Sequence, residues 1–285
     1  MLEARPPAKV NLTLDVLGRR NDGYHELRST FLRVGLSDRL TMDLGAGPGD
    51  RLTVTGLAGA PTEGNLVLTA LDALRRHVAA ELPPIDVTLD KRIPAAAGLG
   101  GGSSDAASAL KLACECWGIA LAPAEELTLA ASLGSDVPFF AHDVPVATIN
   151  GRGEHVSPIA APDDDIGGLL LVTPPISLST AAVFERFDDL PMRLDEDRLR
   201  DANDLWPAAA SLEPSLPRLR EELERATSVP WLMSGSGPTL FAIYPSVEEA
   251  SAAGRSLVES RLPELESAIL NAVDLIGPDP NWRHP

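Results

Sequence analysis

The sequence predicts an α+β fold. Period-two apolar alternation marks several short segments as strands, and others show the spacing of amphipathic helices. The two kinds follow one another without the regular strand–helix–strand beat of a doubly wound parallel sheet. With 285 residues, the chain suffices for one large domain or two modest ones, each with a buried core. No internal repeat is present.

Ala8–Leu17 alternates strictly. Val10, Leu12, Leu14 and Val16 face one way, and Lys9, Asn11, Thr13 and Asp15 the other, as in a half-buried strand. The turn-rich run Gly18-Arg19-Arg20-Asn21-Asp22-Gly23 follows. Strands are predicted at Glu26–Val34, Arg39–Leu44 and Arg51–Thr55, then a helix over Asn65–Ala80 with Asn65 as its N-cap. Ile85–Leu89 reads as a strand running through Lys91-Arg92-Ile93-Pro94 into the small-residue loop Ala95–Gly102. Helices are predicted at Ser103–Trp117, closed by Gly118, and at Pro123–Leu133, before Gly134. The second half opens near Ile149–Gly153, and Gly168–Val172 is an apolar strand. Further helices are expected over Ser179–Phe187, Asp204–Leu212, Leu216–Ala226 and Val247–Leu262. Strands Trp231–Met233 and Thr239–Tyr244 flank Ser234-Gly235-Ser236-Gly237-Pro238, and Ala268–Leu275 is the last strand. Asp163-Asp164-Asp165 reads as a solvated acidic loop rather than a metal site. The proline-rich tail ending Asn281-Trp282-Arg283-His284-Pro285 reads as frayed.

Twenty-four basic against 41 acidic residues give a formal charge of −17. Such a surface repels nucleic acid and anionic membranes; a small anionic ligand needs a local cluster of basic groups. Lysine is scarce: Lys9, Lys91 and Lys111 are the only three, so a lysine in the first strand stands out. Cys114 and Cys116 are too few for a disulfide framework and wrongly spaced for zinc. They read as small apolar fillers in a reducing compartment. No apolar run approaches the ~18 residues of a membrane span, and the N-terminus lacks a signal-peptide core. A cytoplasmic protein is expected, with no membrane or nucleic-acid partner and no obligate protein partner.

The strongest feature is the run Pro94-Ala95-Ala96-Ala97-Gly98-Leu99-Gly100-Gly101-Gly102-Ser103-Ser104-Asp105-Ala106-Ala107, with a strand leading in and a helix leading out. Four glycines in five positions let backbone N–H groups turn toward a ligand and let it approach. The helix start adds unpaired N–H donors and the positive end of its dipole. Ser103 and Ser104 can cap the helix, donate hydroxyls or help hold a metal bound to phosphate. The competing reading is a flexible turn with a serine cap. No lysine follows the last glycine, and Ser103 stands where a dinucleotide fingerprint needs its third glycine. The lysine that meets a transferred phosphate must therefore come from elsewhere.

Pro94–Ala107 resembles the central phosphate-loop motif of the GHMP kinases. Pro7-Ala8-Lys9-Val10-Asn11-Leu12 resembles that superfamily's first motif, and Met233–Ala242 its third. Three further runs narrow the resemblance to the branch acting on a cytidine-diphosphate-bearing alcohol. They are Gly18–Leu27, Gly134-Ser135-Asp136-Val137-Pro138-Phe139-Phe140 and Ala202-Asn203-Asp204-Leu205. Two departures are small-for-small: Ser135 for alanine, and Ala96-Ala97 for glycines found in some members.

The resemblance implies a two-domain fold: a ribosomal-S5-like ATP-binding domain over residues 1–155 and a ferredoxin-like domain over 156–285, with the active site in the cleft between them. It implies phosphorylation, by ATP with Mg²⁺, of the 2-hydroxyl of a small-molecule substrate with a cytidine diphosphate group. That step belongs to non-mevalonate isoprenoid precursor biosynthesis. Another GHMP small-alcohol kinase, of homoserine or mevalonate type, and a non-catalytic nucleotide-binding module are the alternatives. Asp136 would be the catalytic base, where residue type alone suggests a turn or N-cap aspartate. Lys9 would neutralise charge on the moving phosphoryl group, and Asn11 would orient substrate. Residues Pro94 to Ser104 would cradle ATP. Tyr24 and His25 would recognise cytosine, with Phe184 as a second stacking aromatic and Thr180 a nearby polar contact; spacing alone would place Phe184 in the core. Ser236 is expected to shape a turn beside the phosphate loop. Metal ligands are not assigned beyond a weak indication for Ser103.

Overall fold

The computed structural model describes residues 1–57, 64–160, 166–191, 202–260 and 262–275. The acidic run Asp163–Asp165 and the tail lie outside them. Twelve strands form three sheets among the described residues. The first contains β1 (Leu2–Ala4), β4 (Arg39–Leu44), β5 (Arg51–Gly56) and β6 (Ile85–Lys91), in the order β1-β4-β6-β5. Only β5 and β6 pair in parallel, joined through helix α1 (Leu66–Val78). The second holds β2 (Pro7–Arg19), β3 (His25–Ser37), β7 (Val146–Gly151) and β8 (His155–Pro158), antiparallel in that order. Helix α1, with α2 (Gly101–Trp117), α3 (Pro123–Leu133) and α4 (Val137–Ala141), shares a core with the first sheet in which Leu71, Ile85, Leu89 and Phe139 are buried.

The third sheet holds β9 (Gly168–Thr173), β10 (Leu232–Met233), β11 (Leu240–Tyr244) and β12 (Ile269–Val273), in the antiparallel order β10-β11-β9-β12. Helices α5 (Thr180–Asp188), α6 (Trp206–Leu212) and α7 (Ser215–Thr227) lie between β9 and β10, and α8 (Val247–Ser260) between β11 and β12. This is the βαββαβ arrangement of a ferredoxin-like domain. β9 is buried along its length because both faces are covered. Leu170 and Val172 pack with Leu219 and Leu223; Leu169 and Leu171 pack with Val10, Leu32 and Val34 of the second sheet. A strand between two apolar layers has no need of alternation. β8 pairs with β7 to Pro158, and the third sheet begins with β9 at Gly168.

Some elements differ from expectation for local reasons. β1, α4 and β8 have three to five residues, too few to show a period. Helix α2 begins at Gly101, with left-handed Gly100 as its N-cap at φ +70°, and neither serine caps it. α6 starts at Trp206 because Asn203 and Asp204 bond to distant chain. The β2–β3 register shifts between Asn11 and Thr13 and between Val16 and Gly18, so strict alternation does not run through β2. Asn65 does cap α1, accepting from the Val67 N–H at 3.0 Å. Burial pushes the Cys114 thiol up to about 11, and the Cys116 thiol is raised for the same reason; both are unbridged and pack against the core. No helix among the described residues is long and apolar enough to cross a membrane.

A buried charge cluster lies under the start of α2. Lys91 Nζ donates to Asp105 Oδ2 at 2.7 Å and to Asp38 Oδ2. Asp38 Oδ1 also accepts the backbone N–H groups of Arg92 and Ile93, at 2.6 and 2.8 Å. Asp105 Oδ1 has no partner. One ammonium thus serves two carboxylates. Burial pushes Asp105 up to about 7, with Lys91 opposing and Asp38 adding to the rise. Burial works against the Lys91 charge, yet the two carboxylates hold its pKa above the ordinary value.

Asp105 in the unfolded chain ionises near ~4 and in the folded protein near 7. Folding therefore takes up a proton between those values, and this group's contribution to stability falls as pH rises across that window. Asp105→Asn removes the slope. Relative to the parent protein, the variant should gain on the order of 1–3 kcal/mol between about pH 5 and pH 8, read by urea unfolding at both. Identical pH dependence in the two proteins would show that Asp105 does not carry the shift.

Candidate active site

The glycine loop is clamped between β2 and the turn after β10. The Lys9 N–H donates to the Leu99 carbonyl at 3.0 Å. On the other side Ser234 Oγ donates to the Gly98 carbonyl at 2.9 Å and accepts the Asn11 N–H at 3.3 Å. Gly98 sits at φ +77°, and a Cβ there would strike the Ser234 carbonyl oxygen. Only glycine meets both demands. At Gly102, by contrast, a Cβ would meet nothing nearer than Leu66 Cδ1 at 3.8 Å. The first turn of α2 is thus open and without a side-chain cap, which leaves N–H donors for a ligand. Ala96 occupies a left-handed position at φ +51°, a conformation costing a non-glycine residue about 1 kcal/mol.

Lys9 and Asn11 are buried, so this end of the polar face of β2 is not solvated. Lys9 Nζ donates to Asn11 Oδ1 at 2.7 Å, stands 3.4 Å from Asp136 Oδ2 and lies 4.4 Å from the centre of the Phe31 ring. Asn11 Nδ2 donates to Ser29 Oγ at 2.9 Å, which fixes the amide. Asp136 precedes α4, but its side chain makes no capping hydrogen bond. Its carboxylate, 28% exposed, faces Lys9 instead. The N-cap role suggested by residue type is not the one it adopts.

These groups line a cavity of about 780 Å³. β2 runs along it: Lys9 bonds Leu99 near one end of the strand, and Arg19 pairs with His25 near the other. Every loop residue from Pro94 to Ser103 lines the cavity, as do Asn65 and Lys91. Ser104 does not: it turns inward, wholly buried, and its hydroxyl has no partner. Tyr24, His25, Thr180 and Phe184 also line the cavity. The His25 ring stacks on Phe184 with centroids 4.8 Å apart and planes at 24°. Tyr24 is exposed, and the Arg152 guanidinium lies over its ring at 5.0 Å. Thr180 Oγ1 and Ser236 Oγ share a hydrogen bond at 2.9 Å, which ties α5 to the turn after β10.

Sequence reasoning missed Arg19, Arg152 and Asp188, which also line the cavity. Arg152 carried a signal, since it sits between two glycines. Gly153 has φ +130°, and a Cβ there would lie 2.8 Å from Ser135 Cβ, so this turn packs closely on the Asp136 loop. Two of the three lysines and two arginines thus meet in one cavity of a chain with charge −17, where Asp105, Asp136, Glu185 and Asp188 also face it; an anionic ligand there depends on where each charge sits rather than on a net basic lining. Among the described residues, no group of three or more His, Cys, Asp or Glu is placed to hold a metal.

The GHMP kinases N terminal domain family matches residues 65–144, and the GHMP kinases C terminal family matches residues 192–263. The chain is 38% identical to the 4-diphosphocytidyl-2-C-methyl-D-erythritol kinase of Mesorhizobium japonicum, over 90% of this chain and 91% of that protein. It is likewise 38% identical to the kinase of the same name from Geobacter sulfurreducens, over 90% and 93% of the respective chains. A crystal structure of a 4-(cytidine 5'-diphospho)-2C-methyl-D-erythritol kinase superposes with a TM-score of 0.75 at 30% identity, covering 96% of this chain and 99% of that one. A mevalonate kinase structure superposes at 0.71 with 14% identity, covering 97% and 100%, a likeness of fold alone. With both domain families matched in chain order, and relatives alike over nearly their whole length, the chain belongs to the GHMP kinase family.

Proposed function

We propose that the protein phosphorylates the 2-hydroxyl of 4-diphosphocytidyl-2-C-methyl-D-erythritol with ATP, in the formation of isoprenoid precursors. The observation that carries this reading is the Lys9–Asp136 pair, 3.4 Å apart beside the glycine loop. In the transfer, the hydroxyl oxygen bonds to the γ-phosphorus and the bond to ADP breaks. The hydroxyl proton passes to the Asp136 carboxylate, which acts as general base. The Lys9 ammonium, itself buried, balances charge on the phosphoryl group. Asn11, held by Ser29 and bonded to Lys9, orients the acceptor.

ATP fits the open first turn of α2, where the uncapped N–H groups and the space over Gly102 meet phosphate oxygens. Residues Pro94 to Ser103 form the cradle; the inward turn of Ser104 leaves the Ser103 hydroxyl as the serine on the cavity side. Mg²⁺ takes phosphate oxygens and water with one or two protein oxygens, and the Ser103 hydroxyl can supply one; bound there, it would offset phosphate charge. Tyr24, His25, Thr180 and Phe184 form the cytidine side, with aromatic faces a base can stack on.

ADP release with 4-diphosphocytidyl-2-C-methyl-D-erythritol, and not with homoserine or mevalonate, tests the proposal; turnover of homoserine or mevalonate alone would refute it. Asp136→Asn should lower kcat about 10²- to 10⁴-fold while ATP affinity, by calorimetry, holds. Full activity in that variant would remove the base from Asp136. Tyr24→Ala should raise KM for the cytidine substrate about tenfold and leave KM for ATP little changed. An equal rise in both would exclude a stacking role.

A further inference from the structure

Asp188 closes α5, in the C-terminal domain, yet its carboxylate oxygens contact the strands of the second sheet. Oδ1 lies 2.7 Å from His25 Nε2 at the start of β3, and Oδ2 lies 3.2 Å from an Arg19 guanidinium nitrogen at the end of β2. Arg19 and His25 are themselves partners in the β2–β3 ladder. Phe184, one helical turn before Asp188, stacks on the same imidazole, so a single face of α5 presents a ring and a carboxylate to His25. Phe187 adds an edge contact at 6.2 Å and 87°. Arg19, His25, Phe184 and Asp188 all line the cavity.

The contact fixes the imidazole. An Nε2–H donates to Asp188 whether the ring is neutral or cationic, so rotation about the Cβ–Cγ bond is locked while the ring lies on Phe184. Nδ1 makes no hydrogen bond to a described residue. The buried imidazole and the half-buried Phe184 are thereby held in register by one carboxylate reaching from the other domain. Arg19, largely exposed, balances the charge of Asp188 without being needed to aim it.

We infer that Asp188 is a positioning residue for nucleobase recognition: it latches α5 to the β2–β3 edge and sets the pose in which His25 and Phe184 receive the cytidine group. The inference rests on the proposed function. It predicts an effect confined to one substrate, because Asp188 contacts neither the glycine loop nor the Lys9–Asp136 pair.

The test is calorimetric titration of the full-length protein with CDP and, separately, ATP, with steady-state kinetics beside it. Asp188→Ala should weaken CDP binding about tenfold and raise KM for the cytidine substrate similarly, with kcat falling far less than kcat/KM and ATP affinity unchanged. Asp188→Asn keeps an oxygen acceptor for His25 and should recover a large part of the loss. Asp188→Leu, which fills the space without an acceptor, should lose as much as Asp188→Ala and serves if that variant folds poorly. Unchanged CDP affinity in the alanine and leucine variants, or parallel losses for CDP and ATP, would overturn the positioning role. Parent protein that binds no CDP would overturn the proposed function, and this inference with it.

Discussion

The ammonium of Lys9 is buried, and a buried charge persists only where partners replace water. Its partners come from three places in the chain: Asn11 two residues along β2, the Phe31 ring on β3, and Asp136 before α4. The Asn11 and Phe31 contacts follow once β2 and β3 pair. The Asp136 contact needs α2, α3 and α4 stacked on the first sheet so that the loop after α3 reaches the second. The Lys9 backbone simultaneously holds the glycine loop at Leu99. One residue therefore joins the loop, through its backbone, to the carboxylate, through its side chain.

The third motif and the Asn203–Asp204 pair serve this arrangement from the C-terminal side. Asn203 Nδ2 donates to the carbonyls of Met233 and Gly235, each at 2.8 Å, and Asp204 Oδ2 accepts the Val16 N–H at 2.9 Å. A few polar side chains thus fasten the turn after β10 and the chain before α6 to the edge of β2. β2 is the edge strand of its sheet, so alternate N–H groups face away from β3; the Leu14 N–H donates to the Ala202 carbonyl and Asp204 takes up the Val16 N–H. Residues that look functional in sequence divide into two groups here. Some face the cavity, and others, such as Asn203, Asp204 and Ser234, satisfy backbone groups whose misplacement would move the loop.

Much of this was legible because it is local. The glycine spacing fixes the loop between strand and helix, and the run of β9 shows a strand covered on both faces. The scarcity of lysine was informative too: Lys9 and Lys91 both line the cavity. What stayed hidden depends on contacts between distant segments. Alternation puts Lys9 on a polar face, but solvent or cavity is decided by the loop after α3, more than a hundred residues away. Asp188 looks like any acidic residue near a helix end until α5 is docked. Ser103 and Ser104 are equal in sequence, yet α2 begins two residues early and its phase sends one hydroxyl to the cavity and the other into the core.

The two cavity lysines also illuminate the balance of charge. Lys9 faces a single carboxylate, whereas Lys91 is shared by Asp38 and Asp105. A compact ammonium suits both places, since three donors on a narrow stem can meet two or three acceptors in a confined space, where a planar guanidinium demands a wider, forked partner. The arginines of the cavity, Arg19 and Arg152, instead lie near its aromatic side, one against Asp188 and one over Tyr24, where exposure leaves room for that fork. Lysine at the loop and arginine beside the aromatic rings thus follow from the shape of each place. Because Lys91 already has one carboxylate too many, its cluster contributes little free positive charge toward the cavity. Lys9 and the N–H groups of α2 are left as the cationic side of the cavity at the glycine loop.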